Sequence, residues 1–312
     1  MAQPDSDSAK RAAVIINPSK PSSVGVREIV EAVCLEAGWD MPLWLETTIE
    51  DPGPGQALTA IEAGADVVIA AGGDGTVRYV AEVLAGTGIA LGVIPLGTGN
   101  LLARNLGIDV TDVAEAAREC LIGKEKPIDV VRARVDNAGE ELLFLVMAGM
   151  GFDASIMADT DADLKDRVGW LAYVDAGIRN LAGKPVRAKI SIDGKPPVRR
   201  RVRSVMVGNC GKVQGGIEIF PGASVNDGIL DLVVIAPSGP FGWFGVLAGL
   251  VGALLGKGRG KDPAVEYFQG TSAEISMAVP QDFQLDGDHS GEGSRLTVSM
   301  DPGALMVRYP EP

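Results

Sequence analysis

Between Ala12 and Leu121 short apolar runs alternate with amphipathic stretches, and this rhythm constrains the fold more than any other feature of the chain. Ala12–Ile16, Val67–Ala71 and Ile89–Ile94 are nearly unbroken apolar segments, whereas Val24–Ala37 and Val77–Leu84 carry helical spacing. A strand that is apolar at every residue is buried on both faces, which calls for a parallel sheet with helices on each side. Right-handed crossovers follow, so the N-terminal part is expected to be a doubly wound α/β domain.

After Lys126 the character changes. Asp129–Val135, Leu142–Ala148, Val186–Asp193, Val202–Gly208 and Leu230–Ile235 read as strands separated by turns, and Glu266–Phe268, Ala273–Met277 and Leu296–Met300 continue them. Two helical segments, Arg167–Leu181 and Phe241–Leu255, interrupt the series. The second half is expected to be a β-sandwich domain with inserted helices. A chain of 312 residues exceeds one comfortable hydrophobic core, which agrees with two domains.

Acidic residues outnumber basic ones 41 to 28, a net charge of −13 that opposes the electrostatics of nucleic-acid binding. Cys34, Cys120 and Cys210 are far apart and form no C-x-x-C pair, so neither a disulfide framework nor a zinc site is expected and a reducing cytoplasm fits. Met1–Arg11 lacks the apolar centre of a secretory signal. Phe241–Leu255 would extend about 22 Å as a helix, short of the roughly 30 Å of bilayer hydrocarbon.

Three N-terminal strands run into unusual turns: Ile16-Asn17-Pro18, Gly72-Gly73-Asp74-Gly75-Thr76 and Gly97-Thr98-Gly99-Asn100. In an open parallel sheet ligands bind beyond the carboxyl ends of the strands, where all three turns lie. Glycine lets the backbone approach a polyphosphate, and Thr76 is placed to cap the following helix, whose N-terminus favours an anion. The turn at Gly72 reads as a phosphate cradle, although it is neither a P-loop nor a strict G-x-G-x-x-G. An acid inside such a cradle repels the ligand unless it meets a cation or takes a proton, so Asp74 points to Mg²⁺ handling or base catalysis. The plainer reading is a helix-capping aspartate.

Gly72-Gly73-Asp74-Gly75-Thr76 resembles the signature of diacylglycerol and sphingosine kinases, NAD kinases and, more distantly, phosphofructokinases. Pro95-Leu96-Gly97-Thr98-Gly99-Asn100-Leu101-Leu102-Ala103-Arg104 resembles the lipid-kinase form of the next motif. Ala148–Asp153, Pro221–Asp231 and Gln284–Asp288 match bacterial diacylglycerol-kinase-like proteins in order and spacing, so the resemblance spans nearly the whole chain.

It implies a nucleotide-binding domain over 1–135 to which 291–312 returns, a β-sandwich lipid domain over 136–290, and a site in the cleft. By that resemblance Asn17, Gly72, Gly73, Gly75, Thr76, Gly97, Thr98, Gly99 and Asn100 bind ATP, and Asp74 is central to catalysis. A structural Mg²⁺ would be held around Ser224, Asp227 and Ile229, partly by main-chain groups. Two positions depart from the family. Leu101 stands where many members have Asp, which leaves Asp129 as the other matching member of a metal-linked carboxylate network. Asp288 stands where D-G-E is usual, one methylene shorter than the glutamate.

The expected reaction is in-line transfer of the ATP γ-phosphoryl to a lipid hydroxyl, most simply that of diacylglycerol, with Asp288 as base and Asp74 as organiser of phosphate and metal. The reverse assignment stays open, because sphingosine-kinase relatives use the residue matching Asp74 as base. Asp286-Gly287 is itself a hairpin signal, so Asp288 also reads as a turn residue. His289 beside it is not expected to act, and Lys165 and Arg167 read equally as phosphate contacts or as a solvated helix start.

The stretch 241–261, aromatic at one end and basic at the other, suits either peripheral docking on the inner face of the membrane or a core helix. Edge strands of the second half leave a homodimer open. Alternatives are a kinase for a sphingoid base, ceramide or glycolipid, an NAD kinase, and a non-catalytic lipid- or nucleotide-binding protein.

Overall fold

The computed structural model describes residues 10–136, 141–151, 185–212, 218–236 and 264–310. The Arg167–Leu181 and Phe241–Leu255 segments, Lys165, Phe152, Asp153 and the basic stretch 256–261 lie outside the described residues. The chain divides into two compact units, one of Met1–Ile128 with Gly303–Pro312 and one of Asp129–Pro302. The expected limits were 135 and 291. The differences fall inside two long strands that continue through the division, where composition gives no boundary signal.

In the first unit the strands are β1 Ala12–Ile16, β2 Leu43–Glu46, β3 Val67–Gly72 and β4 Ala90–Pro95, all parallel. Every residue of β1, β3 and β4 is buried, as continuous apolar runs demand. The order is β4–β3–β1–β2, so the chain leaves β1 in one direction for β2 and returns past it for β3. Right-handed crossovers then put helices on opposite faces. α1 Val26–Glu36 packs with α5 Val113–Ile122, and α2 Pro54–Glu62 packs with α3 Asp74–Leu84. The doubly wound topology reverses between β1 and β3, and the turns after those strands flank this switch point.

The helices follow from local chemistry. α1 buries Val26, Val30, Val33 and Cys34, a stripe of helical period. α2 begins with Pro54, whose fixed φ suits the first helical position. Asp112 caps α5 by accepting from the Glu115 amide at 3.0 Å.

The last strand, β14 Asp288–Arg308, ends in the first unit beside β4, with Val307 in register with Leu91. Arg308 secures it. Its buried guanidinium donates to the Cys120 and Leu121 carbonyls at 3.0 and 2.9 Å and to Glu125 at 2.6 Å. These carbonyls belong to the last turn of α5, which has no intrahelical donors for them. The return of the C-terminal segment thus rests on helix capping as well as on strand pairing.

The second unit is built from β5 Glu125–Val135, whose last residues lie here, then β6 Leu142–Phe144, β7 Met147–Met150, β8 Val186–Ile192, β9 Val198–Val202, β10 Ser204–Gly208, β11 Leu230–Ile235, β12 Val265–Gly270, β13 Ser272–Leu285 and β14. β13 makes the sandwich by serving two neighbours. Residues 273–277 pair with β8, whereas 283–285 pair with β7, and the register shifts between Ser276 and Gln281. The core alternates along each strand: Ala188, Ile190 and Ile192 of β8 and Ala273, Ile275 and Met277 of β13 join Val205 and Val207 of β10 and Leu230, Leu232 and Val234 of β11.

Two expected strands are broken. Leu142–Ala148 divides into β6 and β7 because the amides of Leu145, Val146 and Met147 donate to one carboxylate, Asp286, at 2.9, 2.8 and 3.0 Å. Val202–Gly208 divides at Arg203, and Val202 belongs to β9, a strand hidden by its basic sequence Val198-Arg199-Arg200-Arg201-Val202.

Replacing Arg308 by Met should leave the Cys120 and Leu121 carbonyls without donors and cost about 2–4 kcal/mol. Urea denaturation of the variant and wild type measures that difference; a loss below about 0.5 kcal/mol would mean strand pairing alone holds the C-terminus.

Candidate functional site

The glycine turn after β3 and the one after β4 touch through their backbones. A Cβ at Gly97 would lie 2.6 Å from the Gly73 Cα, so the approach is possible only without side chains there. A Cβ at Gly72 would meet Thr76 at 2.7 Å, and one at Gly99 would meet the Asp74 carboxylate at 2.6 Å. Gly72 O accepts from the Leu96 amide at 2.9 Å, which locks the two strand ends in step.

Gly73 is the N-cap of α3, and no side chain caps it. Thr76, expected to cap, is instead the third helical residue and is buried against Gly72. An N-terminus without a side-chain cap keeps its dipole and first amides available to an anion.

Asp74 is the first residue of α3, and its carboxylate accepts a hydrogen bond from the Leu101 amide at 2.5 Å. Leu101 opens the short helix α4, Leu101–Asn105. The helix-capping reading of Asp74 therefore holds for α4, and the carboxylate joins the two glycine turns. Asn100, left-handed at φ 47°, accepts from the Gly97 amide at 2.9 Å and donates to the Gly97 carbonyl at 2.8 Å. Asn tolerates that conformation better than most side chains. Thr98 at the tip is exposed, and Arg104 donates to Gly99 O at 2.9 Å.

Asn17 follows β1. Its amide donates to Ala71 O at 3.1 Å, while its side-chain oxygen accepts from the Ser19 amide and hydroxyl at 3.0 and 2.6 Å. Ser22 donates to Leu96 O at 2.7 Å. The three turns thus come together at the carboxyl edge of the sheet.

The remaining residues belong to the second unit. Asp129 is buried in β5; its carboxylate accepts from the Gly228 amide at 2.7 Å and its amide donates to Val225 O at 2.7 Å, so it clamps the 224–229 turn. Ser224 donates to the Asn226 side chain at 2.9 Å, and Asp227 accepts from the Ile229 amide at 2.9 Å. Among the described residues no three His, Cys, Asp or Glu side chains cluster as a metal site. A cation here would need main-chain carbonyls. Oxygen donors of that kind, with the exposed Asp227 carboxylate, fit a hard divalent ion. Asp231, two residues further on, has its pKa raised by burial, partly offset by a hydrogen bond from Gln269.

Asp286 and Gly287 form a two-residue hairpin loop at φ 49° and 91° between β13 and β14, with Leu285 opposite Asp288. Asp286 is the buried acceptor of three amides described above. Asp288 is exposed, and its carboxylate makes no hydrogen bond or ion pair among the described residues. His289 lies 4.0 Å from Asp282, also at the surface.

Arg78 escaped the sequence reading. It is 5% exposed, its Nε has no acceptor, and it makes no ion pair among the described residues. Its guanidinium stacks on the Tyr79 ring at 4.4 Å. The sequence signal is an arginine one turn into the helix that follows the glycine cradle.

Family comparison accounts for both units. Residues 11–133 match the diacylglycerol kinase catalytic domain, and residues 146–309 match the YegS C-terminal NAD kinase beta sandwich-like domain. The chain belongs to the YegS and diacylglycerol kinase family of lipid kinases. A probable lipid kinase YegS-like protein of Pseudomonas aeruginosa is 33% identical over 92% of this chain and 91% of the relative. The diacylglycerol kinase of Bacillus subtilis is 28% identical over 90% and 91%. A diacylglycerol kinase crystal structure from Bacillus anthracis superposes with a TM-score of 0.69, covering 96% of this chain and 97% of that one at 22% identity, a likeness of fold. The expected α/β and β-sandwich architecture and the kinase family are thereby established.

Cation–π stacking contributes about 0.5–2 kcal/mol, whereas burying an unpaired cation costs several. Arg78→Met should therefore leave the thermal midpoint of the ligand-free protein unchanged or higher. A fall of several degrees in a melting scan would make Arg78 a structural cation instead.

Proposed function

We propose that this family member transfers the γ-phosphoryl group of ATP to a lipid hydroxyl, with diacylglycerol as the acceptor and phosphatidic acid as the product. The observation that carries the reading is the paired glycine turn in the first unit. Two backbones in contact, with a helix N-terminus that no side chain caps, make a seat where backbone amides can face a polyphosphate.

In this reading ATP lies against Asn17, Gly72–Thr76 and Gly97–Asn100. Asp74 organises the phosphates and metal while holding α4 in place through Leu101. Asp288 takes the proton of the acceptor hydroxyl; its exposure and its lack of partners among the described residues leave the carboxylate available to a substrate. Mg²⁺, when bound, neutralises charge developing on the transferred group. A structural ion would be held by Asp227 and the carbonyls of Ser224 and Ile229, on the turn that Asp129 clamps. The acceptor is embedded in a bilayer, so the protein works at the cytoplasmic membrane surface. Among the described residues no helix is long and apolar enough to cross a membrane.

Phosphoryl transfer with Mg²⁺ and ATP, offered diacylglycerol in mixed micelles or NAD, tests the proposal. Wild type should phosphorylate the lipid. Asp74→Asn retains an acceptor for the Leu101 amide but not the charge, so it should fold normally and lose roughly 100-fold or more in turnover. Asp288→Ala should lose a comparable factor with ATP affinity preserved. Phosphorylation of NAD alone would replace the acceptor with a dinucleotide, and ATP binding without turnover on any lipid would make the chain a binding protein.

A further inference from the structure

The β8–β9 hairpin carries a concentration of positive charge that the kinase reading does not use. Arg187 lies directly opposite Arg201, and Lys189 directly opposite Arg199. Side chains alternate along a strand, so these four cations share one face. All four are exposed, while Ala188, Ile190 and Val202 between them are buried. Arg200 points to the other side and pairs with Glu266 through two bonds of 2.6 and 2.8 Å. No ion pair engages Arg187, Lys189, Arg199 or Arg201 among the described residues.

Folding alone disfavours this arrangement, because like charges directly opposite each other on a sheet repel. The Cα atoms that carry them are about 6.7 Å apart along a strand and about 4.8 Å apart across the pair. The cluster therefore fits within roughly one Debye length at physiological salt, and a surface that approaches it meets the cluster before it meets the average charge of −13. The four side chains leave the hairpin on one face, so a single surface can meet them together.

We propose that the exposed face of β8–β9 docks on an anionic lipid surface, with Arg187, Lys189, Arg199 and Arg201 as the headgroup contacts. This identifies a docking element for the second unit, and it rests on the lipid-kinase reading only for the choice of a bilayer over an acidic protein. Mobile anionic headgroups can gather under all four cations of one face, whereas an acidic protein epitope must match their spacing. Near a charged membrane each such cation strengthens partitioning about fivefold. The competing use is protection of the edge: among the described strands β9 pairs with β8 alone, and cations on an edge strand deter pairing with another chain.

Co-sedimentation with vesicles separates these uses without nucleotide or turnover. Full-length protein should bind phosphatidylcholine vesicles containing phosphatidylglycerol, release at high salt, and ignore phosphatidylcholine alone. The variant Arg187→Gln, Lys189→Gln, Arg199→Gln, Arg201→Gln should bind the anionic vesicles at least tenfold more weakly, with an unchanged thermal midpoint. Its transfer to a short-chain, water-soluble diacylglycerol should equal that of wild type. Equal binding of variant and wild type, or wild-type binding that is indifferent to phosphatidylglycerol, overturns the proposal. Self-association of the variant with unchanged vesicle binding assigns the cations to edge protection and also overturns it. Patch-dependent vesicle binding by a protein that phosphorylates no lipid would uphold the docking surface while the kinase reading failed.

Discussion

The contact between Gly73 and Gly97 is the constraint on which the nucleotide-binding unit depends. Two turns from adjacent strands approach until a single methyl group would not fit between them. That approach brings Asp74 to the Leu101 amide and sets the start of α4 beside the start of α3. One carboxylate near two helix N-termini is held by both dipoles, so its position is fixed before any ligand arrives. Such preorganisation is what phosphoryl transfer asks of a protein, because most of the catalysis is positioning and charge stabilisation.

A buried aspartate plays the corresponding part in the second unit. Asp286 gathers three successive amides and thereby ends β6, begins β7 and orients the hairpin that presents Asp288. Three donors on one carboxylate offset a desolvation cost that an unpaired group would not survive. Its neighbourhood is polar on purpose: Asn209 donates to the carbonyls of Asp129 and Leu145, both at 2.9 Å, and ties the same bend to β5. The Cys210 thiol beside it is pushed well above its usual range, first by burial and then by the charges of Asp286 and Asp129. It is inert packing, not a nucleophile.

What the sequence made legible was whatever depends on local chemistry. Unbroken apolar runs identified β1, β3 and β4, and Asp286-Gly287 announced its hairpin. The strands misread were those whose limits are set from a distance. Nothing within Leu142–Ala148 says that a residue more than a hundred positions later will take its amides. Thr76 looks like a cap until the closeness of Gly72 leaves it no room to turn outward. Three consecutive arginines hide β9, since alternation of buried and exposed positions is blurred when Arg200 finds its partner in Glu266. Domain limits were blurred for a related reason: β5 and β14 run through them without any break in composition.

The same contrast between average and local quantities applies to charge. A net charge of −13 bears on long-range encounters. At contact distance it says little, because salt confines each charge to a neighbourhood of about 8–10 Å. Within that range what matters is register. Lys189 faces Arg199 because β8 and β9 pair as they do, and a slip of β9 by one residue would turn Arg199 and Arg201 toward the core. The apolar residues between them forbid the slip: Ala188, Ile190 and Val202 must stay inside. The hydrophobic pattern that builds the sandwich is therefore also what assembles the basic face.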